Sequence, residues 1–89
     1  GVSTIGIGTV NSTPVNVKEI LQIALLTHAT GLILVHNHPS GNLKFSKSDF
    51  AVTKKIAQCC NLFDIKLLDH IVITSESFHS MANSRKLPT

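Results

Sequence analysis

The chain has 89 residues, a formal net charge of +3, 43% hydrophobic residues and 15% charged ones. That length suits one small domain burying about 60% of its unfolded surface, and the composition excludes a disordered chain. No apolar run approaches the ~20 residues of a membrane-spanning helix, and residues 1–10 lack the basic and apolar segments of a signal peptide.

Residues 2–8 (VSTIGIG) read as a strand, weakened by Gly6 and Gly8. Opening in mid-strand and without an initiator Met, residues 1–89 read as a single domain trimmed at its N-terminus. "NSTPV" is a loop, and Asn16 followed by Glu19 makes a helix-capping signature. Ile20, Ile23, Ala24 and Thr27 then space as one helical face, which predicts a helix over 17–29, with Gly31 ending the turn after it. Residues 32–36 (LILVH) are unbroken and β-rich, as expected of a central strand covered on both sides.

Pro39 to Phe45 is a loop. Ser46, with Asp49 three residues on, opens a second helix whose buried face is Phe50, Thr53, Ile56, Ala57 and Cys60. Cys59 and Cys60 are the only cysteines; as neighbours they are poorly placed to share a zinc ion, and a disulfide between them is strained. They read as reduced, half-buried helix residues, which fits a cytoplasmic protein. Lys44, Lys47, Lys54 and Lys55 make a mild basic patch, short of a nucleic-acid footprint because no Trp or Tyr is present to stack on bases. Residues 66–74 (KLLDHIVIT) are a third strand, followed by a short polar tail. The order β-α-β-α-β predicts an α/β fold, a three-layer α-β-α sandwich.

The chemistry concentrates where the central strand ends. Residues two apart on a strand share a face, so His36 and His38 aim their rings at one spot while Asn37 points away. Asp49, in the first turn of the next helix, faces back toward that strand end. Two neutral imidazoles and a carboxylate are a catalytic zinc set with a fourth position left for water. Taken singly, the histidines could finish a strand at a wet surface, and Ser46 with Asp49 could be only a capping box. The joint spacing H-x-H-P-x6-S-x2-D is what favours a site over coincidence.

This spacing resembles the JAMM (MPN+) metalloprotease signature. The fuller "HNHPSG", with "GTVNS" before it and "LLDHIVI" after it, is similar to the bacterial RadC proteins in particular. The resemblance covers residues 7 to about 80 and implies a JAMM/MPN (cytidine-deaminase-like) fold with a mixed sheet. It implies Zn2+ held by His36, His38 and Asp49, with Ser46 beside the activated water as a donor to the developing oxyanion. The implied reaction is hydrolysis of a peptide or isopeptide bond in a protein substrate. The family's general base is a glutamate on a strand upstream of this chain's start. Glu19 and Glu76 do not match it, so these 89 residues are expected to be inactive by themselves. RadC proteins also carry helix-hairpin-helix segments before this domain, which are absent here, and Phe45 replaces the proline usual before the serine.

Asp69 and His70 interrupt an apolar strand and point to opposite faces. They read as a buried polar pair satisfied by the backbone, or His70 stands behind the metal ligands, as Asn37 could from the strand end. His28 near a helix end and His79 in the tail read as structural or solvated. The alternative reading, from the lysines and the association of the RadC name with DNA repair, is an inactive module that binds DNA or a protein. An exposed sheet edge would suit pairing with a second copy.

Overall fold

Parallel strands require a long crossover, and here each apolar run is separated from the next by an amphipathic helix. The computed structural model describes residues 1–7, 17–38 and 43–88. In chain order the elements are β1 (Val2–Ile7), α1 (Val17–Leu26), β2 (Gly31–Asn37), α2 (Lys47–Leu62), β3 (Lys66–Ile73) and β4 (Phe78–Ser80). They build one mixed sheet of order β1-β2-β3-β4, in which the first three strands are parallel and β4 runs antiparallel to β3. The α/β class and the mixed sheet are as predicted. The "NSTPV" loop, the Asn16 cap and residues 39–42 lie outside the described residues.

Right-handed crossovers that step across a sheet in one direction put their helices on the same face. Accordingly α1 and α2 touch, and one buried cluster joins Ile5, Leu32, Leu34 and Leu67 of the sheet to Ile20, Ala24, Ile56 and Cys60 of the helices. Among the described residues the layering is therefore helices on one face. The other face carries the half-buried Ile33, Val35 and Ile71, so among the described residues β2 is central in the sheet and fully covered on its helix side.

Helix α1 stops three residues before the predicted end. His28 takes a left-handed φ of 54°, where histidine is tolerated better than most residues. Ala29 N–H then donates to Ala24 C=O (2.9 Å) and His28 N–H to Leu25 C=O (3.1 Å). These are the two bonds of a Schellman motif, and Ala24 and Ala29 are both buried beneath it. Because apolar residues spread over more of this decapeptide's circumference than the core face needs, spacing alone did not separate its buried from its exposed apolar positions. Ile20 and Ala24 are buried with Val17 and Leu21 beside them, whereas Ile23 and Thr27 are exposed.

Helix α2 ends the same way. Asp64 takes φ 57°, Ile65 N–H donates to Cys60 C=O and Asp64 N–H to Asn61 C=O. Its buried face is Asp49, Thr53, Ile56 and Cys60, with Phe50 and Ala57 half-buried. Both cysteines are free, and burial pushes the Cys60 thiol up.

The tail is more ordered than its polarity suggests. After β4 a single helical turn closes on Arg85 (φ 56°), with Lys86 N–H donating to Met81 C=O, and Met81 is fully buried. Asp69 secures it, accepting from the Ser80 hydroxyl and from the Ala82 N–H (2.9 Å).

Candidate metal centre

Alternation along β2 puts Leu32, Leu34 and His36 on the helix-covered face, and His36 is the first of them to reach the open end of the sheet. His38 follows the last β2 residue, and its N–H still donates to Ile73 C=O (2.9 Å), which fixes it two residues beyond His36. The two imidazoles meet edge to face with centroids 4.6 Å apart.

Asp49 reaches the same point because Ser46 starts α2 there. Ser46 Oγ accepts from Asp49 N–H (3.1 Å) and Ser46 N–H donates to Asp49 Oδ2 (2.7 Å), a complete capping box. The carboxylate then sits below the histidines: Oδ1 lies 3.1 Å from His36 Nδ1 and Oδ2 lies 3.5 Å from His38 Nε2. One nitrogen from each histidine and one carboxylate oxygen fall within 4.8 Å of one another, and Asp49 is buried while both rings are partly open. The residues therefore combine both readings of the sequence, since Asp49 caps a helix and also joins the histidines.

The chemistry of this donor set fits a cation. His36 Nδ1 is buried and makes no aligned hydrogen bond despite its nearness to Asp49. A cation held between the two side chains would give this buried nitrogen the partner it lacks. Burial lowers the pKa of His36, and so does neighbouring His38, against the opposing pull of the Asp49 carboxylate. The net shift favours the neutral ring, the form that binds metal.

Ser46 is exposed at the rim of this cluster. Asn37 is exposed on the alternate side of β2 and is not brought to it. Neither Glu19 nor Glu76, both exposed, joins the group of donors among the described residues.

His70 does approach. A bulge between β2 and β3 pairs Leu32 with Leu67 but Ile33 with Asp69 and Leu34 with His70. The extra residue moves His70 onto the face of Leu34 and His36, and its ring centroid lies 5.9 Å from that of His36. Asp69 is left on the other face, holding the tail, so the adjacent pair divides into a structural carboxylate and a histidine behind the site. The His70 ring is 1% exposed, and burial brings its pKa down to about 4. Its Nδ1 lies 2.5 Å from the hydroxyl of Thr53, which is 2.5 Å from Asp49 C=O.

Two supports were not legible in the sequence. Thr53 is one, although its place four residues after Asp49 put it on the same helix face. His79 is the other: its ring contacts Leu43 C=O through Nδ1 (2.8 Å) and Ser84 Oγ through Nε2 (2.6 Å). The carbonyl only accepts, so Nδ1 donates to it and Nε2 accepts from the serine. Phe45 stacks on His79 (4.5 Å) and meets Phe50 edge-on (5.6 Å), so it pins residues 43–45 just before Ser46.

Comparison with known proteins identifies relatives along nearly the whole chain. The chain is 46% identical over 81 residues to a UPF0758 protein of Pasteurella multocida, covering 91% of this chain and 36% of that protein. It is 44% identical over 81 residues to one of Coprothermobacter proteolyticus (91% and 34%) and 46% identical over 77 residues to one of Streptococcus agalactiae (86% and 34%). The chain thus spans about a third of the length of the curated relatives it matches. The family model described as RadC-like JAB domain matches residues 1–87. With its histidine pair, capping serine and aspartate in the arrangement described, the chain belongs to the RadC-like JAB domain family.

Proposed function

We propose that this chain is the zinc-binding part of a metallopeptidase-type hydrolase that cuts a peptide or isopeptide bond. The observation that carries the reading is the convergence of His36, His38 and Asp49 within 4.8 Å at the open end of the sheet. These three would hold the ion, leaving a fourth position open. Zinc bound there would supply an activated water near neutral pH and polarise the scissile carbonyl.

The chain's own groups have defined tasks. The two imidazoles are ligands in their neutral form, and Asp49 supplies the negative charge that balances the cation. Ser46 Oγ spends one lone pair on the Asp49 N–H, which leaves its hydroxyl proton to donate to a substrate oxyanion. The resemblance assigns the general base to a glutamate upstream of Val2. No second metal ligand set occurs among the described residues.

The test is hydrolysis of peptide and isopeptide-linked substrates by the full protein, with and without a chelator. Activity that disappears with chelation, returns with zinc and is absent in His38→Ala supports the reading. Cleavage indifferent to chelator and to His38 overturns it.

A further inference from the structure

We infer that His70 and Thr53 are positioning residues for the metal, fixing Asp49 by its backbone through a chain of two buried hydrogen bonds. The inference rests on the zinc-site reading above and extends it to two residues that cannot themselves touch a substrate. Asp49 contributes its side chain to the donor cluster, while its carbonyl accepts from Thr53 Oγ1 at 2.5 Å. Thr53 Oγ1 lies 2.5 Å from His70 Nδ1. All three residues are buried, at 6%, 0% and 1% exposure.

Counting donors fixes the directions. A carbonyl oxygen only accepts, so the single Thr53 hydroxyl proton goes to Asp49 C=O. The contact at Thr53 Oγ1 must then be filled from the other side, and His70 donates through Nδ1–H. His70 is thereby one tautomer, with its Nε2 lone pair buried and without a hydrogen-bond partner among the described residues.

The linkage joins the helix that carries Asp49 to the strand paired with the one that carries His36. His70 belongs to β3, which is paired to β2 at Leu34, two residues before His36. Asp49 and Thr53 belong to α2. The bulge between Leu32 and Ile33 brings the ring to the helix side; without it His70 would point to the opposite face. A helix held to the strand only by apolar contacts, such as Ile56 over the sheet, can slide by fractions of an ångström at little cost. A short polar chain to the backbone of the ligand itself removes that freedom, and metal sites are sensitive to such displacement.

The experiment measures zinc affinity by competition with a chromophoric chelator, the visible spectrum of the cobalt-substituted site, and apo-protein melting, all in the full protein. Thr53→Val and His70→Leu should weaken zinc about 10–100-fold and shift the cobalt bands. Thr53→Ser and His70→Asn, which retain a hydroxyl and a side-chain N–H donor, should bind zinc within about threefold of wild type. Ile56→Val, equally buried one turn further along α2, should lower melting while leaving affinity and spectrum unchanged. Wild-type affinity and spectrum in Thr53→Val, with only a lower melting temperature, would overturn the inference. So would equal losses in Thr53→Ser and Thr53→Val. A wild-type protein that takes up no zinc would instead overturn the zinc-site reading itself.

Discussion

Ser46 has two tasks in this account, and two substitutions separate them. Its Oγ caps α2 by accepting from Asp49 N–H at 3.1 Å, with a β-region backbone (φ −79°, ψ 167°). Replacing a serine cap by alanine costs about 1 kcal/mol, whereas glycine costs only a few tenths because water reaches the exposed N–H groups. In a domain of this size about 1 kcal/mol lowers the melting temperature by about 4–8 °C. Ser46→Ala should therefore show that shift in calorimetry, and Ser46→Gly should lose less than about half of it. Both lack the hydroxyl that would donate to the oxyanion, a loss typically worth about 10²–10³ in rate. Under zinc saturation in the full protein the two variants should be equally slow although unequal in stability. Hydrolysis that tracks melting temperature, with Ser46→Gly close to wild type, would refute the oxyanion role and leave only the cap.

Other consequences follow from the same contacts. His70 has a folded-state pKa of about 4 against an ordinary 6.5. The unfolded chain therefore binds the extra proton first as pH falls, and stability present above about pH 6.5 drains away toward pH 4, by about 3 kcal/mol at ~1.4 kcal/mol per unit. Zinc-free melting at pH 7.5, 5.5 and 4.5 should show this, and His70→Asn should flatten it; equal slopes for both proteins would contradict it. Asp64→Gly relieves a left-handed φ of 57° at an exposed position and should stabilise by about 0.5–1 kcal/mol in urea titration; no gain would mean that Asp64 makes a compensating interaction. The 89 residues without an upstream glutamate should bind zinc yet hydrolyse about 10²–10⁴ more slowly than the full protein, and equal rates would place the base within this chain, Glu76 being the first to replace.

What was legible in the sequence was local. The capping box of Ser46 and Asp49 and the alternation of His36 and His38 depend on neighbours a few residues apart, and both appear where the spacing put them. The helix limits failed where a non-glycine residue, His28, takes the left-handed conformation that composition assigns to glycine. The bulge was invisible because alternation counts residues along one strand, whereas a bulge is set by two strands in register. Adjacent Asp69 and His70 were seen to face apart, but which one met the site depended on that bulge. Strand β4 and the buried Met81 were missed for a related reason. Three residues show no periodicity, and what holds them is distant in sequence: the ladder to β3 and the bond from Ser80 to Asp69, eleven residues earlier.

Whether His36, His38 and Asp49 hold one metal ion together is decided by zinc stoichiometry. Untagged full protein, stripped and reloaded, should hold one zinc per chain by elemental analysis. Replacing His36, His38 or Asp49 by alanine should each remove it while the helical circular dichroism signal persists. Zinc retained at full stoichiometry in all three variants, or none taken up by the wild type, would contradict the account.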